Sequence, residues 1–165
     1  MLTYETLDTA DGPFTVVERA DCAVVAAGWT ADANALIART GLGAVVAVPA
    51  VCASADAVRA YYAGDPLPVT HAHVDFDATD FQRAVWDELR AIPAGQVRTY
   101  GEVAMGIGNP AASRAVGAAC GANVVALFVP CHRVTGANGA LSGFAWGVDI
   151  KRALLGREAR VLQST

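Results

Sequence analysis

Over the first thirty positions apolar residues come in short β-branched runs, and from residue 79 onward they recur at helical spacing. Leu2 to Leu7, Phe14 to Glu18 and Ala23 to Trp29, the first two divided by the turn sequence Ala10-Asp11-Gly12-Pro13, predict a small antiparallel meander. Asp32 to Arg39 is alanine-rich and reads as a helix, while Ala44 to Val51 reads as a strand or a buried loop. Ser54 to Tyr62 puts Val58, Tyr61 and Tyr62 on one helical face and stops at Gly64-Asp65-Pro66. Pro66 to Ala78 has little helical pattern and reads as a strand or a linker.

Thr79-Asp-Phe-Gln82 is a capping box, and the helix it opens carries Phe81, Val85, Leu89 and Ile92 on one face until Pro93-Ala-Gly95. A second box, Thr99-Tyr-Gly-Glu102, opens a short helix to about Ile107. Gly108-Asn109-Pro110 then predicts a tight turn with Asn109 as cap and Pro110 as first residue of a third helix, to about Ala122. Short helix, turn and longer helix make a helix-turn-helix. The third helix is nearly free of side-chain bulk and carries one charge, Arg114, so its backbone can approach a surface closely or pack tightly inside the protein.

A chain of 165 residues, 54% hydrophobic and 17% charged, is neither disordered nor fibrous. Its longest apolar stretch, Leu42 to Ala53, is broken by Gly43 and Pro49 and is too short for a membrane helix. The N-terminus lacks signal-peptide character, so a cytoplasmic location is expected, with Cys22, Cys52, Cys120 and Cys131 as reduced thiols. The cysteines lack the close spacing of zinc ligands, and no metal or other cofactor is expected. Cys22, Cys52 and Cys120 read as buried, inert thiols. Residues 1–79 hold three basic against ten acidic residues, for −7, and residues 80–165 nine against six, for +3. Such asymmetry fits two modules, 1–78 and 79–165, with the second suited to a polyanion; uneven charge on a solvated surface fits as well.

A β-branched run from Asn123, expected as a buried strand, delivers Pro130-Cys131-His132-Arg133-Val134, and a Gly-rich loop, Gly139-Ala-Leu-Ser-Gly-Phe-Ala-Trp-Gly147, precedes a last helix from about Asp149. A thiol is a weak nucleophile at neutral pH until a base or cation favours its thiolate, and Cys131 has a histidine beside it. From about Thr79 to Glu158 the chain closely resembles the O6-alkylguanine-DNA alkyltransferases, also called methylated-DNA–protein-cysteine methyltransferases. The Pro-Cys-His-Arg-Val core carries the resemblance, in register with the helix-turn-helix and the Gly-rich loop. The first half resembles that family's variable N-terminal domain only loosely.

The fold expected is α+β: a small N-terminal α/β domain with an antiparallel sheet, then a helical domain with a winged-helix-like helix-turn-helix. The resemblance implies that Cys131 accepts, once and irreversibly, the alkyl group of an O6-alkylguanine flipped out of double-stranded DNA, with O4-alkylthymine as a further candidate lesion. It implies that His132 activates the thiol through a bound water and that Glu158 orients His132. Ala112, Ser113, Ala115 and Gly117 would let the recognition helix into the minor groove, and Arg114 would fill the space of the flipped base. Tyr100 would rotate the target phosphate and donate a hydrogen bond to the guanine ring, and Asn123 would tie the helix-turn-helix to the active-site loop. Backbone groups near Cys131, Val134 and Ala145 would form the pocket under the ring of Phe144, where many members carry tyrosine. Trp146, glycine in many members, either reshapes this pocket or packs in the core. Cys131 is expected to be tightly packed, and the protein to be a monomer with no obligate protein partner.

Two other classes stay open on the residues. Lesion-binding relatives that flag damage without repairing it lack the acceptor cysteine, which is present here. A cysteine hydrolase could use Cys131 and His132, although hydrolase pairs usually lie far apart in the chain.

Overall fold

The computed structural model describes residues 1–141 and 143–163, and the chain divides into two compact units, Met1–Asp77 with Val124–Phe128, and Ala78–Asn123 with Val129 onward. In the first unit β1 (Leu2–Thr9), β2 (Gly12–Arg19) and β3 (Val24–Gly28) form the expected antiparallel meander. A fourth strand, β4 (Ala47–Pro49), pairs parallel with β1 and makes the sheet mixed where an antiparallel one was expected. Phe14, Val16 and Val17 on β2 and Val24, Ala26 and Ala27 on β3 are fully buried.

Helix α1 (Ala33–Ala38) is capped by the Asp32 side chain. The start of α2 (Ala53–Tyr62) is held by a strand instead: the Glu18 carboxylate accepts from Ala53 N at 3.1 Å, Ser54 N at 3.0 Å and Ser54 Oγ at 2.6 Å. Unpaired N–H groups of a first helical turn attract an anion in this way. A short helix, α3 (Leu67–His71), stands where the pattern pointed to a strand or linker, because five residues are too few for a helical period to register. Cys22, expected to be buried, is exposed at a turn with φ 65°, since the apolar run that suggested burial begins only after it.

In the second unit α4 (Asp80–Arg90) and α5 (Tyr100–Gly106) open on their capping boxes, with both reciprocal bonds formed in each. Helix α6 (Ser113–Gly121) starts later than expected, and Asn109 does not cap it. The Asn109 carbonyl instead accepts the Ala112 N–H at 3.0 Å, which holds Pro110 in a turn, and the helical ladder begins with Val116 N to Ala112 O at 2.9 Å. Trp86 Nε1 donates to Ala119 O at 2.9 Å and fastens α6 to α4, over a core that includes Val85, Leu89, Val103 and Val116.

The run after Asn123 is not a strand. It forms an isolated bridge, Val125 to Ala27, with Ala27 N to Val124 O at 2.9 Å and Ala126 N to Ala27 O at 3.1 Å, and it turns at Leu127 with φ 74°. Its backbone bonds therefore lie within the first unit, although a single cut near residue 79 leaves these residues in the second. The chain then makes a 3₁₀ turn at Cys131–Arg133, pairs β6 (Val134–Thr135) parallel with β5 (Arg98–Thr99), and ends in α7 (Val148–Gln163). Ser142 of the Gly-rich loop lies outside the described residues. Among the described residues no helix is long and apolar enough to cross a membrane.

Candidate active site

A cavity of about 490 Å³ opens in the second unit, lined by Tyr100 at the start of α5, by Gly117, Cys120 and Gly121 on α6, and by Asn123, Cys131 and the loop from Gly143 to Trp146. Cys131 is half-buried with open space beside it, so the expectation of a tightly packed sulfur does not hold. Cys120, expected in the core, shares the cavity wall because α6 turns its C-terminal end toward it. Phe144, Ala145 and Trp146 all line the cavity, and Val134 does not: it is fully buried in β6 opposite Arg98.

A buried hydrogen-bond chain runs behind the sulfur. Asn123 Nδ2 donates to Val129 O at 2.9 Å and lies 3.2 Å from Cys131 Sγ, which links the end of α6 to the 3₁₀ turn. His132, fully buried, pairs through Nε2 with Glu158 Oε2 at 2.7 Å. Arg133 Nε donates to Glu158 Oε1 at 2.7 Å, Nη2 to Glu158 Oε2 at 3.2 Å, and Nη1 to Ile92 O at 2.7 Å.

Burial alone would raise the pKa of Glu158 toward neutrality, but His132 and Arg133 override it and hold the carboxyl well below its usual range. Burial pushes the His132 imidazole below its ordinary value against the pull of Glu158, so the ring is neutral at pH 7. An ionised carboxylate only accepts, which puts the ring proton on Nε2 and leaves the lone pair on Nδ1. That Nδ1 is buried and bonded to no protein group among the described residues. Lys151 on α7 is 1% exposed; burial lowers its ammonium, and the thiols of Cys131 and Cys120 draw it back up. A cation beside a thiol favours the thiolate.

Sequence reasoning overlooked Arg133, Lys151 and the position of Cys120. A signal for Lys151 exists: with Leu154 and Glu158 it falls at i, i+3 and i+7 on the buried stripe of α7, where two charges interrupt the apolar pattern. The outer surface of the site belongs to α6. Arg114 and Ala115 are exposed, and Ala112, Ser113 and Gly117 are half-buried. Arg114 shares a helix face with Gly117 and Gly121, which stand at i+3 and i+7, so it rises at the rim of the cavity wall. The Gly117 Cα faces the Tyr100 ring, where a Cβ would sit 3.9 Å from two ring carbons.

The family model of the 6-O-methylguanine DNA methyltransferase, DNA binding domain, matches residues 80–160. A methylated-DNA–protein-cysteine methyltransferase of Mycobacterium tuberculosis is 39% identical over 166 residues, covering 94% of this chain and 91% of that protein. The chain belongs to the methylated-DNA–protein-cysteine methyltransferase family. A protein of the same description from Methanosarcina acetivorans is 53% identical over 98 residues, 59% of this chain and 62% of the relative, so the match spans less than two thirds of that protein. The fold agrees with family membership: a crystal structure of the Mycobacterium tuberculosis protein in complex with DNA superimposes with a TM-score of 0.79 at 37% identity, over 96% of this chain and 94% of that one.

Proposed function

We propose that this chain is a single-use DNA repair protein that flips an O6-alkylated guanine out of duplex DNA and transfers the alkyl group irreversibly to Cys131. The observation that carries the reading is the placement of the Cys131 sulfur on a base-sized cavity, with Asn123, Lys151 and the His132–Glu158–Arg133 chain around it. The Nδ1 lone pair of His132 takes the thiol proton through a water, and Lys151 favours the thiolate. The thiolate attacks the alkyl carbon, the S–C bond forms as the C–O6 bond breaks, and guanine leaves after taking a proton, for which the Tyr100 hydroxyl is the donor at the wall. Phe144 covers the base, and Trp146 narrows the space beside it. Arg114, at the rim, compensates the stacking lost when the base leaves the duplex. O4-alkylthymine enters the same cavity in this reading. The protein acts as a monomer in the cytoplasm, without a metal or other cofactor.

Duplex DNA bearing one labelled O6-methylguanine tests this. The expected result is one methyl group per chain by intact mass, mapped to Cys131, with Cys131→Ala unreactive and still binding DNA. Continued turnover would favour a hydrolase, and methyl transfer by Cys131→Ala would remove the assignment.

A further inference from the structure

We propose that Cys120 and Cys131 form a dithiol site at which a peroxide installs a reversible disulfide, sparing the acceptor sulfur from irreversible oxidation. Both residues line one cavity, whereas Cys22 is exposed and Cys52 is buried in the first unit. Asn123 bridges the two positions: its N–H donates to Cys120 O at 3.2 Å, and its side-chain Nδ2 lies 3.2 Å from Cys131 Sγ. One residue therefore spans from the Cys120 peptide to the other sulfur. Lys151 faces both thiols electrostatically.

The two thiols differ in character, and that sets the order of events. Burial pushes Cys120 up to about 12, with the charge of Cys131 adding to the shift, so Cys120 stays protonated. Cys131 interacts with the Lys151 ammonium and accepts the Asn123 Nδ2 hydrogen bond, both of which favour a thiolate, and it meets the oxidant first. Its thiolate attacks one oxygen of hydrogen peroxide; the S–O bond forms, the O–O bond breaks and the departing hydroxide is protonated to water, leaving a sulfenic acid. Cys120 then attacks the Cys131 sulfur. The S–S bond forms, the S–O bond breaks, and the Cys120 proton leaves with the hydroxide as a second water, which completes a two-electron oxidation of the pair. Without Cys120 the sulfenic acid would advance to sulfinic acid, which thiol reductants do not reverse.

The inference rests on the reading of Cys131 as the reactive thiol of this site. It is tested on the full chain by limited hydrogen peroxide, followed by peptide mapping without reduction, with no DNA present. Alkyl transfer by unoxidised protein is scored separately, so failure of one reading is visible apart from failure of the other. The expected product is a cross-linked Cys120–Cys131 peptide, with nearly all of the lost transfer capacity returned by dithiothreitol. In Cys120→Ser, compared with its own untreated capacity, dithiothreitol should return almost none, and Cys131 should carry sulfinic acid. A native chain that yields Cys131 sulfinic acid and no such cross-link overturns the proposal, as does equal recovery in both proteins. If Cys120→Ser fails to fold, mapping of the native chain decides alone.

Discussion

Each unit buries one carboxylate almost completely among the described residues, Glu18 at 5% and Glu158 at 2% exposure, and the two dispose of their charge differently. Glu18 is met by two backbone N–H groups and the Ser54 hydroxyl at the start of α2, none of which titrates near neutrality. Glu158 is met by a guanidinium and an imidazole, and the imidazole belongs to the residue after the cavity cysteine. A buried charge by itself therefore marks no active site. What separates the two is whether the satisfying partner can pass on a proton toward a reactive atom, and only the second arrangement can.

Substitution of both carboxylates breaks or sharpens this contrast most strongly. Glu158→Gln leaves the Arg133 guanidinium buried without its counter-charge and should cost about 3 to 5 kcal/mol in denaturant unfolding, together with slower transfer in single-turnover assays. Glu18→Gln removes a helix cap and should cost about 0.5 to 2 kcal/mol with the transfer rate unchanged. Equal effects of the two on transfer would erase this distinction.

Arg114→Ala leaves the buried chain untouched and should act only on base extrusion. Its expected effect is slower repair of duplex DNA, by an amount drawn from an unstacking cost of a few kcal/mol, with little change toward a free O6-alkylguanine base that fits the cavity. Equal slowing on both substrates would place Arg114 in the chemistry. Asn123→Ala should cost about 1 to 3 kcal/mol, because the Val129 carbonyl loses its buried donor. It should also slow transfer through the sulfur contact, and thermal unfolding with a transfer assay reads both.

Acidification gives a graded test. The folded-state values of His132 and Glu158 both lie below their ordinary values of 6.5 and 4.5, so in each window the unfolded chain holds the extra proton. Stability should thus be full above pH 6.5, fall as pH drops below it through His132, and fall further below pH 4.5 through Glu158. Melting temperatures across this range check the sign. Glu158→Gln should lose the lower-pH part of the slope.

Much of the local chemistry was legible in the chain where its partners lie three or four residues apart. The two capping boxes, the β1–β2 turn and the Pro-Cys-His-Arg-Val core needed nothing distant, and the resemblance they support placed Cys131, His132, Asn123 and Glu158. The failures have two causes, a competing local turn and a missing strand partner. Pro110 suits a first helical turn, but the Asn109–Ala112 bond closes a tighter turn and α6 begins later. The run after Asn123 has strand composition, yet strand formation requires a continuous partner, and Ala27 offers a single bridge. Sequence by itself determined which residues could form helices, caps and a reactive thiol. Tertiary structure decided that Arg133 and Lys151 would be buried around that thiol, that Cys120 would face the same cavity, and that Val124–Phe128 would return to the first unit. The physical reason is range: capping and turn bonds close within one helical turn, whereas the desolvation of a charge depends on side chains that lie far apart along the chain.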